Sequence, residues 1–215
     1  MGTPVKILNN QIPEAFLDEA SQTLKKGGCI VIPTFCLYGM AANAMDEAAV
    51  RRIFDIKRRP LTNPILLLIK DMDAVGPLVK KIPDEAKALM KTFWPGNLTI
   101  VFEATDQIPE VITSGTGKVG LRVPSNPIAR ALCHSVPFPL TGTSANIAGE
   151  PGASAFTELH PDIVNGADIA IDAGHLAGGN GSTVVDVTTT PVRVLREGTI
   201  PKSKIYSLLE KSASF

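Results

Sequence analysis

The chain has 215 residues, 44% hydrophobic and 20% charged, which is enough for one α/β domain that removes most of its apolar surface from water. Its 21 basic residues balance 21 acidic ones at a pI near 6.8, so bulk charge does not mark a nucleic-acid binder. Three cysteines without a CxxC pair exclude a disulfide framework and a zinc knuckle, and no apolar run approaches the roughly 20 residues of a membrane span, so a reducing, cytoplasmic setting is expected.

In chain order, Ala15, Phe16, Ala20 and Leu24 recur at helical spacing and predict a helix over residues 13–26, stopped by Gly27 and Gly28. Residues 29–32 read as a short apolar strand. The segment after Pro33, Phe35 through Gly39, reads as a loop leading to the next helix. Asp46 is a good N-cap for that helix, which runs to Lys57 and is blocked soon afterwards by Pro60. Ile65 to Ile69, "ILLLI", has the continuous apolar character of a strand buried on both faces.

A helix is expected over 83–93, strands over 98–102 and 119–123, and another helix opened by Asn126 and Pro127. "FPLTGTSAN" is a strand running into a polar loop. "DIAIDAG", "STVVDV" and "VRVLREG" are three further β segments, and residues 202–211 form a terminal helix. The expected fold class is α/β, a twisted mixed sheet with flanking helices, in a single domain over 1–215. Neither a dinucleotide-binding GxGxxG nor a P-loop is present.

Candidate chemistry collects at strand and helix ends. Lys57 continues the apolar stripe of Val50, Ile53 and Phe54, and Arg58 and Arg59 follow it. They either complement the helix dipole or clamp an anion. Arg122 in "VGLRVP" and Arg196 in "VRVLREG" alternate with apolar neighbours and need a counter-charge. A bound carboxylate or phosphate would serve, and so would Asp172 or Asp186. Thr143, Ser144, Asn146, Ser182 and Thr183 lie in small-residue loops that admit a ligand closely. His134, His160 and His175 have no metal-ligand spacing, so no dedicated metal site is expected. Charge stabilisation of phosphoryl or nucleotidyl transfer suits these residues better than acyl-enzyme chemistry.

Taken together, "PTFCLYGMAANA", "IKRRPLTNPILLLI", "FWPGNLTIVF", "VGLRVPSNPIARAL", "PLTGTSANIAGEP", "GSTVVDV" and "VLREGTI" resemble, in this order, the YrdC-like family of threonylcarbamoyl-adenylate synthases. The motifs cover about residues 30–200, and the chain resembles the family's short form. The resemblance implies a deep, positively lined cavity. It also implies a reaction in which L-threonine, bicarbonate and ATP, with Mg²⁺ carried on the nucleotide, give threonylcarbamoyl-AMP and pyrophosphate. Downstream transfer proteins then modify tRNA, and contact with the RNA itself is a further expectation.

By the same resemblance, Lys57 and Arg59 match the family's KxR pair and are the expected catalytic residues. Lys57, Arg59, Asn63, Lys118, Asn146, Ser154 and Arg196 are expected at the nucleotide. Thr34, Cys36, Leu68, Arg122, Ser144 and Ser182 are expected at the amino acid. The usual family loop is PT-acid-T-x-Y-G, whereas Phe35 and Cys36 stand here, and Leu68 replaces a frequent histidine. A thiol is a weak hydrogen-bonding group and leucine offers none. Two alternatives follow: a synthase for another small amino acid, or an RNA-binding regulatory module without turnover.

Overall fold

In the computed structural model, which describes residues 4–7 and 11–212, ten strands form one twisted mixed sheet. The early strands are β1 (Pro4–Lys6), β2 (Cys29–Pro33), β3 (Tyr38–Ala42) and β4 (Leu66–Leu68). The later ones are β5 (Leu98–Glu103), β6 (Lys118–Arg122), β7 (Leu140–Ser144), β8 (Ile169–Asp172), β9 (Thr183–Asp186) and β10 (Arg193–Arg196). Their order across the sheet is β1-β8-β2-β3-β7-β4-β6-β5-β9-β10. The α/β mixed-sheet expectation is met.

The expected loop after Pro33 is instead a hairpin. Residues 34–37 turn, and β3 returns antiparallel to β2 with Pro33 opposite Tyr38 and Cys29 opposite Ala42. Every residue of β3 is buried. Glycine and alanine are poor strand formers by propensity, but in the middle of a sheet covered on both faces their small size is what fits.

Side-chain alternation along the strands sorts the core onto two faces. On one face, Ile30 and Ile32 meet Phe16, Ala20 and Leu24 of α1 (Glu14–Lys25) and Ile128 and Leu132 of α5 (Pro127–Ser135). On the other, Val31 and Leu67 join Val50, Ile53 and Phe54 of α2 (Glu47–Lys57), Leu89 of α3 (Asp84–Phe93) and Ile205 of α7 (Lys202–Ser212). The short helices α4 (Glu110–Thr113) and α6 (Pro161–Gly166) complete the helical set. The expected helix starts at Asp46 and Asn126 hold: Asp46 accepts from the amides of Ala48 and Ala49, and Asn126 from those of Ile128 and Ala129.

The two helices on the first face, α1 and α5, pack over the β2 end of the sheet. Beyond them the same face carries a cleft. Alternate residues of neighbouring strands point into it: Leu66 and Leu68, Lys118 and Arg122, Thr99 and Val101, Val184 and Asp186. A period of two on a sheet face thus becomes the floor of a cavity.

Candidate active site

The cavity encloses about 530 Å³, within the range of small-molecule sites. Its cations are Arg59, Lys118, Arg122 and Arg196, and Asp186 is the carboxylate among the lining residues. Asp186 does not neutralise the arginines. Its Oδ2 accepts from Lys118 Nζ at 3.0 Å, and its Oδ1 accepts from the amide and hydroxyl of Thr188 at 2.8 and 2.6 Å. Asp172, the other acid weighed as a partner, accepts from the Gly174 amide at 2.9 Å.

The Arg122 guanidinium is therefore left with no hydrogen bond or ion pair among the described residues, and its Nε is buried without a partner. Burial first, and then the charge of Arg196, pull its pKa down to about 10 against the opposing pull of the Cys36 and Cys133 thiols. A guanidinium in this state favours an incoming anion, because pairing relieves a desolvation cost that the protein leaves uncompensated.

The three consecutive cations at the end of α2 separate. Arg58 adopts the left-handed conformation, φ 51°, and the Arg59 amide reaches back to Phe54 O at 2.8 Å in a tight helix-ending turn. That turn sends Arg58 outward to Asp162, at 2.7 Å. Arg59 turns into the cavity, donating to the carbonyls of Asn63 at 3.3 Å and Pro64 at 2.9 Å.

Lys57 is 1% exposed and does not line the cavity. Its Nζ donates to Ser144 O at 2.5 Å, Asn146 O at 2.6 Å and Asn146 Oδ1 at 3.1 Å. An ammonium has three donors, so these contacts use all of them. Burial, then the nearby Arg59 charge, lower its pKa to about 8. Lys57 thus ties α2 to the loop after β7, with its ammonium outside the cavity lining.

That loop is closed on itself. Ser144 Oγ donates to Asn146 Oδ1, and Asn146 Nδ2 donates to Ile147 O at 3.0 Å and Glu150 O at 2.6 Å. Asn146, Asn63 and Ser154 do not line the cavity, and the Ser154 hydroxyl donates to Glu158 at 3.1 Å. The remaining expected residues, Thr34, Cys36, Leu68, Ser144 and Ser182, do line it, together with the cations already named.

Ser182 is held by its neighbours. Its Oγ lies 2.9 Å from Thr99 Oγ1, and Arg196 donates to its carbonyl at 2.8 Å. Gly198 allows this arrangement: a Cβ there would sit 2.1 Å from Gly181 O and 2.6 Å from Thr183 N. Those are backbone atoms, so the strand start itself would have to move. Gly198→Ala is expected to cost about 3 kcal/mol or more in chemical denaturation and to displace Ser182. A loss under about 1 kcal/mol would mean the loop yields freely.

Asn97 and Thr99, within the stretch "FWPGNLTIVF" but not among the expected site residues, also line the cavity. Asn97 sits in "WPGN", which carries an ordinary turn signal. Among the described residues, no group of three or more His, Cys, Asp or Glu side chains gathers where it could hold a metal. No helix among them is long and apolar enough to cross a membrane.

These features define an α/β domain with a deep, cation-lined cavity on an uncovered sheet face. The Sua5/YciO/YrdC family model, described as "Telomere recombination", matches residues 22–198, and the chain belongs to that family. It is 36% identical over 202 residues to a threonylcarbamoyl-AMP synthase of Pyrococcus abyssi, covering 94% of this chain and 59% of the relative. A putative threonylcarbamoyl-AMP synthase of Methanocaldococcus jannaschii is 31% identical, covering 92% of this chain and 93% of the relative. The crystal structure of P. abyssi Sua5 complexed with L-threonine superposes with a TM-score of 0.92 at 35% identity, covering 96% of this chain and 61% of that one. The chain thus spans little more than half the length of the P. abyssi relative.

Proposed function

We propose that this domain makes threonylcarbamoyl-AMP. The observation that carries the reading is Arg122, a partly buried guanidinium with an unpaired Nε in the wall of a cavity whose other cations, Arg59, Lys118 and Arg196, line the same space. One unpaired cation suits a carboxylate, and several dispersed cations suit a polyphosphate. The names of the relatives supply the product, threonylcarbamoyl-AMP, and L-threonine, and the family resemblance adds bicarbonate and ATP.

In this reading the threonine amine and bicarbonate condense to a carbamate with loss of water. A carbamate oxygen then attacks the α-phosphorus of ATP, the bond to the β-phosphate oxygen breaks, and pyrophosphate leaves. Arg59, Lys118 and Arg196 stabilise charge on the phosphates, while Arg122 receives the threonine carboxylate. Lys57 acts through the Ser144–Asn146 loop. Mg²⁺ would enter as part of the MgATP substrate; the cavity lining offers one carboxylate, Asp186, already committed to Lys118 and Thr188.

The single ten-stranded sheet supports one YrdC-like domain over 1–215. Three free cysteines support a reducing, cytoplasmic setting, where transfer proteins would carry the product to tRNA. The test is pyrophosphate release from MgATP and bicarbonate with and without L-threonine. Threonine-dependent release is expected; release that ignores threonine, or none at all, overturns the reading.

A further inference from the structure

The turn between α3 and β5 delivers one side chain to the cavity and fixes it firmly. The buried Trp94 donates from Nε1 to Leu98 O at 2.7 Å, the Gly96 amide donates to Val123 O at 2.9 Å, and Asn97 O accepts from the Thr183 amide at 3.0 Å. Gly96 is needed for that closeness, since a Cβ there would lie 2.3 Å from Phe93 O. Asn97 therefore stands on a turn pinned to β9 and to the segment after β6. Groups held in this way meet a ligand without reorganising.

Its carboxamide has little to do within the protein. Nδ2 makes a long contact, 3.8 Å, to Cys36 Sγ, which is a weak acceptor, and Oδ1 has no partner among the described residues. Three of the hydroxyls that line the cavity are already engaged: Thr34 with Leu37 O at 2.6 Å, Ser144 with Asn146, and Ser182 with Thr99. Leu68 offers only hydrocarbon. At this end of the cavity, Asn97 thus presents a fixed and uncommitted donor and acceptor.

An α-amino acid carries three groups to be recognised. Its carboxylate matches the unpaired Arg122 guanidinium. Its amine becomes the carbamate and must face the phosphates. The side chain is left, and a hydroxyl both donates and accepts, which is what a neutral carboxamide complements and a guanidinium does not.

We propose that Asn97 is a specificity-determining residue, whose carboxamide receives the side-chain hydroxyl of the amino-acid substrate beside Cys36, where the thiol cannot. The assignment rests on the synthase reading for the location of the amino acid. It would let a pocket with cysteine and leucine at two expected recognition positions tell threonine from its isostere valine. A wall that hydrogen-bonds a hydroxyl rejects the analogue lacking it far more strongly than an apolar wall does, by up to about 10⁴-fold against about 10²-fold.

The experiment measures calorimetric affinities for L-threonine and L-valine, and pyrophosphate release with each, on the wild-type chain, Asn97→Leu, Asn97→Ala and the double variant Asn97→Ala with Cys36→Thr. Thermal melts report folding, and the alanine variant stands in if leucine overfills the cavity. The threonine-over-valine ratio is expected to fall by about 30-fold or more in both single variants, through weaker threonine, and to recover in part when Cys36→Thr restores a hydroxyl partner. A ratio unchanged within about threefold, or equal weakening of both ligands, overturns the assignment. So does a wild-type chain that does not distinguish the two amino acids. If affinities follow Asn97 while no pyrophosphate is released, the synthase reading fails and the assignment of Asn97 stands.

Discussion

Lys57→Met is expected to lower turnover by about 10²-fold or more, with a loss of fold stability of only about 2 kcal/mol. The substitution leaves Ser144 O, Asn146 O and Asn146 Oδ1 without their shared donor. Methionine keeps the packing of the stem and removes the cost of burying an ammonium, so the net stability change is smaller than three lost hydrogen bonds suggest. Catalysis has no such compensation. Once the Ser144–Asn146 loop is free to shift by an ångström, the reacting groups lose alignment. Turnover within about threefold of wild type would refute the strut.

The same lysine predicts a pH effect with opposite signs for stability and activity. Burial and Arg59 hold its folded pKa at about 8, below the 10.5 of a free lysine. Between those values the unfolded chain binds more protons than the folded one, so this contribution makes the fold more stable as pH rises through 8. Below 8 the whole cost of the buried ammonium is present. Activity runs the other way, because a neutral amine has two N–H groups for three acceptors and turns its lone pair toward an oxygen. A kcat profile falling through about pH 8 in wild type and level in Lys57→Met is the expected signature. A wild-type profile level across that pH would remove Lys57 titration from the account.

The sequence pattern carried the helix starts, the alternation that turns Arg122 into the cavity and the stripe that ends in Lys57. Each of these depends on neighbours within a few residues. What it concealed depends on distant partners. β3 was unreadable because Gly39, Ala41 and Ala42 become a strand only when β2 and β7 enclose them. For Lys57 the local pattern leaves dipole complement and anion clamp both open, because its acceptors lie 87 and 89 residues away. Asn97 carried an ordinary turn signal, and only the fold brings Cys36, 61 residues earlier, to its amide. Arg122 is the intermediate case: its need for a counter-charge is local, but the commitment of Asp186 to Lys118 and Thr188, and of Asp172 to the Gly174 amide, is not.

Arg122→Met is accordingly expected to raise stability while removing function. In the wild-type chain the guanidinium is partly buried, with its Nε fully so, unpaired and further penalised by Arg196. Replacing an uncompensated buried charge with an apolar side chain of similar length should raise the unfolding free energy by about 1–3 kcal/mol. Methionine lies beside Leu68, its register neighbour on β4, and gains apolar contact there. Binding moves in the opposite direction. A carboxylate that loses its guanidinium partner should bind about 10²-fold more weakly or worse, and the melting-temperature gain expected from saturating L-threonine in wild type should vanish.

The two measurements separate the possible roles of the residue. A variant that is less stable and also binds less well would mean that Arg122 holds the architecture and that its emptiness of partners is misleading. A variant that is more stable but fails to bind places the guanidinium where its stabilisation comes from the ligand. The domain then carries a standing electrostatic cost at the inner wall of its cavity, and the substrate anion that relieves it is thereby selected over neutral competitors.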